Sequence, residues 1–212
     1  MSIDDVMPGQ SYRRPKTGGE RPAMEYLDIV DENGSPTGKT VSREEAHKAG
    51  ILHRTAHVWV VREEGGRTDI LLQKRSEGKD SFPGMYDTSS AGHIPAGEEP
   101  LSSALRELEE ELGIRAASDQ LSYAGSFRIR YERVFHDRLF RDNEVAQLYV
   151  YREPICIEHL VLQETEVSEV RWFALDDVWA DIQSGDRTRF CVPTQGLRVL
   201  REWLRKEAAV LS

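Results

Sequence analysis

The 212-residue chain is as informative for what it lacks as for what it holds. It has two cysteines, Cys156 and Cys191. That is too few for the disulfide framework of a small secreted domain. A single pairing stays open, but two ordinary thiols in a cytoplasmic protein are the simpler expectation. It has no apolar run long enough to span a membrane. Its opening lacks the signal-peptide pattern, because Ile3 to Val6 is short and is followed by polar residues. It lacks an excess of positive charge: 28 Lys and Arg against 37 Asp and Glu give a net charge of −9. A nucleic-acid polymer is therefore not an expected partner. Internal repeats and low-complexity tracts are also missing.

What is present is concentrated in residues 92–114, GHIPAGEEPLSSALRELEEELGI. Glu107, Glu110 and Glu111 stand at i, i+3 and i+4, which puts them on one helical face. Like charges so crowded destabilise a helix unless a cation offsets them. A hard divalent ion with oxygen ligands, Mg²⁺ or Mn²⁺, suits such a cluster. The opposite face is apolar: Leu101, Ala104, Leu105, Leu108 and Leu112 recur at three- and four-residue spacing, as in a helix packed on a core. Pro100 suits the first turn and Gly113 the stop. Gly92 and Gly97 bracket a loop whose backbone is able to approach a phosphate closely. The bland reading, a solvated acidic face, leaves the fixed spacing and the flanking glycines unexplained.

This stretch resembles the Nudix box: Gly, five residues, Glu, seven residues, then Arg-Glu-aliphatic-x-Glu-Glu-x-Gly-aliphatic. The resemblance implies an α/β fold, an α/β/α sandwich around a mixed sheet, with the box forming strand end, loop and helix. It also implies a metal-dependent enzyme that cleaves a nucleoside diphosphate linked to another moiety, a small-molecule diphosphate substrate. The segment Glu169 to Val178 resembles the late strand-then-helix element of the same family.

With 39% hydrophobic residues the chain is able to bury one good core. Residues 1–22 are expected to be a flexible tail and 23–212 a single domain. Tyr26 to Val30 and Lys39 to Val41 form a hairpin extension around Asn33-Gly34. Ser42 caps a short helix from Arg43 to Ala49. Strands are expected at 56–61, 70–73, 86–90, 121–133, 139–152 and 170–173, with helices at 175–183 and 194–207. The hairpin at 26–41 offers an edge to a second copy, so a homodimer is an open expectation.

A closer resemblance is to the isopentenyl-diphosphate isomerase branch. It is carried by LDIVDENGSPTGKTVSREEAH, the His53 to Trp59 spacing, LLQKRSEGKDSFPGMYD, Gly92-His93 and Asn143-Glu144-Val145. It implies an accessory metal site from His47, His53, His93, Asp142 and Glu144. Those imidazoles would favour Mn²⁺ or Zn²⁺ over Mg²⁺. Two departures separate the activities. The isomerase's acidic cysteine position is Ala91, and a methyl group transfers no proton. The Arg-Glu-x-x-Glu-Glu segment, typically degenerate in the isomerases, is intact. The expectation is an isomerase-like hydrolase. An isomerase-type activity and a non-catalytic diphosphate-binding module are the alternatives.

Metal-assisted attack of water on phosphorus is the expected mechanism. Glu107, Glu110 and Glu111 are expected to hold metal. Glu98 is expected to join them through water or to pin the loop. Arg106 is expected to orient the cluster. Glu110 and Glu144 are both candidates for the base. Gly92, Lys74, Arg75, Lys79 and Arg130, with Arg128 beside it, are candidates for meeting the diphosphate. Tyr86, Tyr131 and Trp172 are each able to stack on a base or to fill the core. His57, in an apolar strand, is expected to be a core or pocket residue.

Overall fold

The computed structural model describes residues 24–185 and 187–210. The expected tail over 1–22 lies outside them. Two strands, β1 (Tyr26–Val30) and β2 (Pro36–Ser42), pair antiparallel and lead into α1 (Arg43–Ala49). The turn is wider than a two-residue Asn-Gly hairpin: Val30 pairs with Pro36, and the Asp31 carboxylate caps the loop by accepting from the Asn33 and Ser35 amides, each at 2.9 Å. Ser42 accepts from Glu45 N–H at the start of α1, and Gly50 closes the helix in the left-handed region at φ 67°.

The main sheet is built on β3 (His53–Glu64). Its end pairs antiparallel with β4 (Arg67–Arg75), and its beginning with β6 (Ser90–His93). Its other edge runs parallel to β8 (Arg138–Tyr151). Beyond β8 lies β7 (Leu121–Phe135), joined to it as a long hairpin. β4 also pairs with β5 (Tyr86–Asp87) and β9 (Val167–Ala174). The strand expected over 86–90 is thus two short strands broken at Thr88-Ser89, because each half serves a different neighbour.

Three helices complete the layers: α2 (Pro100–Leu112), α3 (Leu175–Ser184) and α4 (Thr194–Val210). Alternation along β3 divides the core. Trp59 and Val61 join Ile70, Leu72, Val178, Ile182, Leu197 and Leu200 beneath α3 and α4. Ala56, Val58 and Val60 join Leu71, Ala104, Leu108 and Leu112 beneath α2. Burial on both faces explains the apolar run Val58–Val61 in the middle of β3. The result is the α/β/α sandwich. No helix among the described residues is long and apolar enough to cross a membrane.

Candidate active site

A cavity of about 450 Å³ opens beside the start of β3, between α2, β6, β8 and the 78–82 loop. Its wall on one side is the box helix. Because α2 buries Ala104, Leu108 and Leu112 against the sheet, Glu107, Glu110 and Glu111 are turned towards the cavity. Arg106 holds this face together: its Nη1 lies 2.8 Å from Glu107 Oε1 and 3.0 Å from Glu110 Oε2, and its Nη2 donates to the His93 carbonyl at 3.3 Å.

Glu111 is buried and accepts from Gln73 Nε2 and Ala91 N–H, both at 3.1 Å. Burial, together with the charge of Glu107, pushes its carboxyl up to about 8. Burial raises Glu107 too, against the pull of Arg106. Two neighbouring carboxyls that resist ionising are what a divalent cation would relieve. Glu98 stands apart. Its carboxylate accepts from Ser103 Oγ at 3.0 Å, lies 4.0 Å from Arg106 Nε and is not on the cavity wall.

The second cluster faces the first across Gly92-His93. Strand register assembles it: His53 stands opposite Glu144 on β8, and Thr55 opposite His93 on β6. α1 brings His47, anchored where Asn143 Nδ2 donates to the Gly50 carbonyl at 2.9 Å and Arg141 to that of Lys48. His47 Nε2 lies 3.0 Å from His93 Nε2, His53 Nε2 3.6 Å from Glu144 Oε1, and His47 Nδ1 3.7 Å from Asp142 Oδ1. His53 Nδ1 donates to the Ile51 carbonyl at 2.8 Å, which fixes the ring with Nε2 towards Glu144. His47 Nδ1, His53 Nε2 and Asp142 Oδ1 are buried without a hydrogen-bond partner. Such orphaned atoms, and donors gathered within 4.8 Å of one another, suit a cation. Burial, with His53 close by, lowers His47 to about 4, so its imidazole is neutral, the form that ligates. Burial and the neighbouring Glu144 raise Asp142 to about 9. Burial works against charge on Glu144 as well, but His53 and His93 outweigh it and keep Glu144 ionised.

Other candidates fall on both sides of the cavity wall. Gly92 sits against Glu107, leaving no room for a side chain. Arg75 and Lys79 line the cavity, but both are engaged. Arg75 donates to Asp87 at 3.2 Å and to Ser81, and Lys79 pairs with Glu166. Lys74 is corrected: strand alternation turns it away from the face that carries Gln73 and Arg75, off the cavity wall. Arg130 is corrected likewise. The inner face of β7 presents Phe127, Ile129 and Tyr131, so Arg128 and Arg130 lie outside, where Arg128 meets Glu32 and Asn143 at 2.9 Å. Tyr131 lines the cavity, whereas Tyr86 and Trp172 belong to the packed core. Sequence reasoning missed Glu25, Arg43, Asp87 and Cys191 as cavity residues, since only the fold brings them there.

Residues 51–190 match the NUDIX domain family. The chain belongs to the Nudix hydrolase family. It is 40% identical over 154 residues to an uncharacterised Nudix hydrolase of Clostridium acetobutylicum, covering 73% of this chain and 72% of that one. The uncharacterised Nudix hydrolase YfcD of Escherichia coli is 33% identical over 188 residues, with 88% and 90% covered. Nudix hydrolase 3 of Arabidopsis thaliana is 41% identical over 157 residues, 73% of this chain, but the match spans only 20% of the plant protein. A Deinococcus radiodurans structure superposes with a TM-score of 0.62 at 20% identity, over 84% of this chain and 98% of that one. The NUDIX domain of Shewanella oneidensis NrtR, solved with ADP-ribose, gives 0.52 at 20% identity, over 77% and 92%. At that identity the structures establish the shared fold.

Proposed function

We propose that this Nudix hydrolase is a pyrophosphohydrolase that uses Mg²⁺ or Mn²⁺ to cleave a diphosphate linkage in a nucleoside diphosphate or related small molecule. The observation that carries the reading is the box face itself: Glu107, Glu110 and Glu111 line one cavity wall, with Arg106 bridging two of them. A divalent ion bound there supplies a Lewis acid and an acidified water. The chain's own residues do the rest. Glu107 and Glu111 offer carboxylates already aimed by Arg106, Gln73 and the Ala91 amide. Gly92, with no side chain, makes room for the Glu107 carboxylate. Glu110, half exposed on the wall, and Glu144, held by Thr55 Oγ1 at 3.0 Å, are the two candidates to accept a proton from the attacking water. The histidine cluster would hold a second ion, and its imidazoles favour Mn²⁺ or Zn²⁺. A cavity of about 450 Å³ suits a small molecule.

The isomerase alternative is weakened at Ala91, where the main chain reaches Glu111 but the side chain carries no acid. A binding module would have no need of the full carboxylate set. The test is a panel of nucleoside di- and triphosphates, dinucleotides, nucleotide sugars and isopentenyl diphosphate, with Mg²⁺ and Mn²⁺, for wild type and Glu110→Gln. The expected result is chelator-sensitive cleavage of one class, lost in the variant while circular dichroism is unchanged. Unaltered turnover by Glu110→Gln would sink the metal assignment. Dimethylallyl diphosphate formed from isopentenyl diphosphate would replace hydrolysis with isomerisation.

A further inference from the structure

The family match begins at residue 51, yet the segment before it is bonded into the box loop. We propose that the N-terminal hairpin is part of the catalytic apparatus, and that Asp28 with Arg54 forms a buried clamp that positions the loop between Gly92 and Glu99. The inference rests on the metal-dependent reading above.

Asp28 and Arg54 are each 8% exposed. Asp28 Oδ2 accepts from Arg54 Nη2 at 3.1 Å and from the Gly97 N–H at 3.0 Å. The same Arg54 Nη2 donates to the Glu98 carbonyl at 3.3 Å. One side-chain pair thus holds the N–H of one loop residue and the carbonyl of the next. Main-chain bonds run parallel to it: Ala96 N–H donates to the Tyr26 carbonyl at 2.8 Å, Ile94 N–H to that of Arg54 at 3.1 Å, and Leu27 bridges to Pro95. Gly97 turns in the left-handed region at φ 81°, so the loop is not held by regular strand geometry.

A buried ion pair is a poor device for stability, because desolvation offsets its attraction and apolar replacement is often neutral. Here Arg54 Nε is also buried without a partner. What the pair does supply is direction. The loop carries His93 at its start and Glu98 near its end. Arg106 reads both, donating to the His93 carbonyl and lying by the Glu98 carboxylate, and it in turn holds Glu107 and Glu110. A loop that shifts therefore moves donors of both clusters. Asp28 and Arg54 are positioning residues, touching neither substrate nor ion.

The test uses full-length protein and Mn²⁺ alone, read by loss of the free-ion electron paramagnetic resonance signal, alongside thermal melts. Asp28→Leu/Arg54→Met is expected to melt near wild type but to bind Mn²⁺ about tenfold more weakly, the usual cost of losing an outer-shell partner. Asp28→Asn keeps an oxygen for the Gly97 amide, so it should fall in between. It also carries the test if the double variant does not fold. Unchanged Mn²⁺ affinity with the fold intact would overturn the clamp, as would an affinity loss that only tracks the melting temperature. Because the readout needs no substrate, a chain that binds Mn²⁺ normally but hydrolyses nothing would overturn the proposed function and leave the clamp standing. A wild type that binds no Mn²⁺ would sink both.

Discussion

The carboxylate of Glu107 occupies the space that a Cβ on Gly92 would need. The two residues come from different elements, the end of a strand and the middle of α2, and they meet only because the box folds back on itself. Gly92→Ala is therefore expected to swing the Glu107 side chain out of line and leave the sheet in place. Mn²⁺ affinity should fall about tenfold or more with a melting temperature only a few degrees lower. Calorimetric titration of Mn²⁺ beside a thermal melt checks it. An alanine variant that binds the ion as well as wild type would show that Glu107 is not a ligand.

Glu111→Gln separates stability from metal binding. Burial and Glu107 push this carboxyl up to about 8 from an ordinary 4.5. A raised acid means that the folded state holds a proton which the unfolded state has released. Without metal, wild type should lose stability as pH rises from about 4.5 towards about 8. The amide removes that loss. At pH 8 with chelator, Glu111→Gln should melt at or above wild type. On adding Mg²⁺, wild type should gain stability by mass action and the variant should not. Fluorimetric melts at pH 6 and 8, with and without Mg²⁺, read both effects. A variant that still gains from Mg²⁺ would remove Glu111 from the ligand set.

The second cluster predicts a count. If His47, His53, His93, Asp142 and Glu144 hold an ion of their own, His53→Gln should remove one tightly held Mn²⁺ or Zn²⁺ per chain. It should leave the ion at the box unaffected in affinity. Metal analysis after gel filtration, for wild type and His53→Gln, decides this. Equal metal content in the two proteins would reduce the cluster to a set of buried imidazoles.

The box helix was legible because period, caps and carboxylate spacing all lie within 23 contiguous residues of the sequence. The helix at Arg43–Ala49 was legible from its Ser42 cap and short amphipathic run. The histidine cluster was legible only through resemblance. Its members are spread from residue 47 to residue 144, and the register of β3 against β6 and β8 is what joins them. Arg130 and Lys74 show the limit of alternation: period two says which residues share a face, not which face looks inward. Asp28 is not legible in the sequence because an isolated acid in a hairpin carries no signal until the fold sets Gly97 and Arg54 beside it.

Asp69 gives a prediction that is independent of the catalytic reading. It is 1% exposed on β4, directly opposite Arg62 of β3. It accepts from Arg67 Nε at 2.7 Å, from Arg67 Nη2 at 3.1 Å, and from Arg62 at 3.1 and 3.3 Å. Burial alone would raise its carboxyl, but the hydrogen bonds from Arg67 and Arg62 win and hold it below the usual range. A depressed acid stabilises the fold fully above its unfolded value, near 3.9, and that stability is lost as pH falls through the folded value. Asp69→Asn should therefore cost about 1–3 kcal/mol at pH 7, since both arginines are partly exposed and free to turn to water. The gap between wild type and variant should hold steady from pH 7 to pH 5 and shrink below about pH 4. Urea melts of both proteins across that range measure it. A gap that stays constant down to pH 3 would mean that packing, and not the carboxylate charge, is what Asp69 contributes to the β3–β4 hairpin.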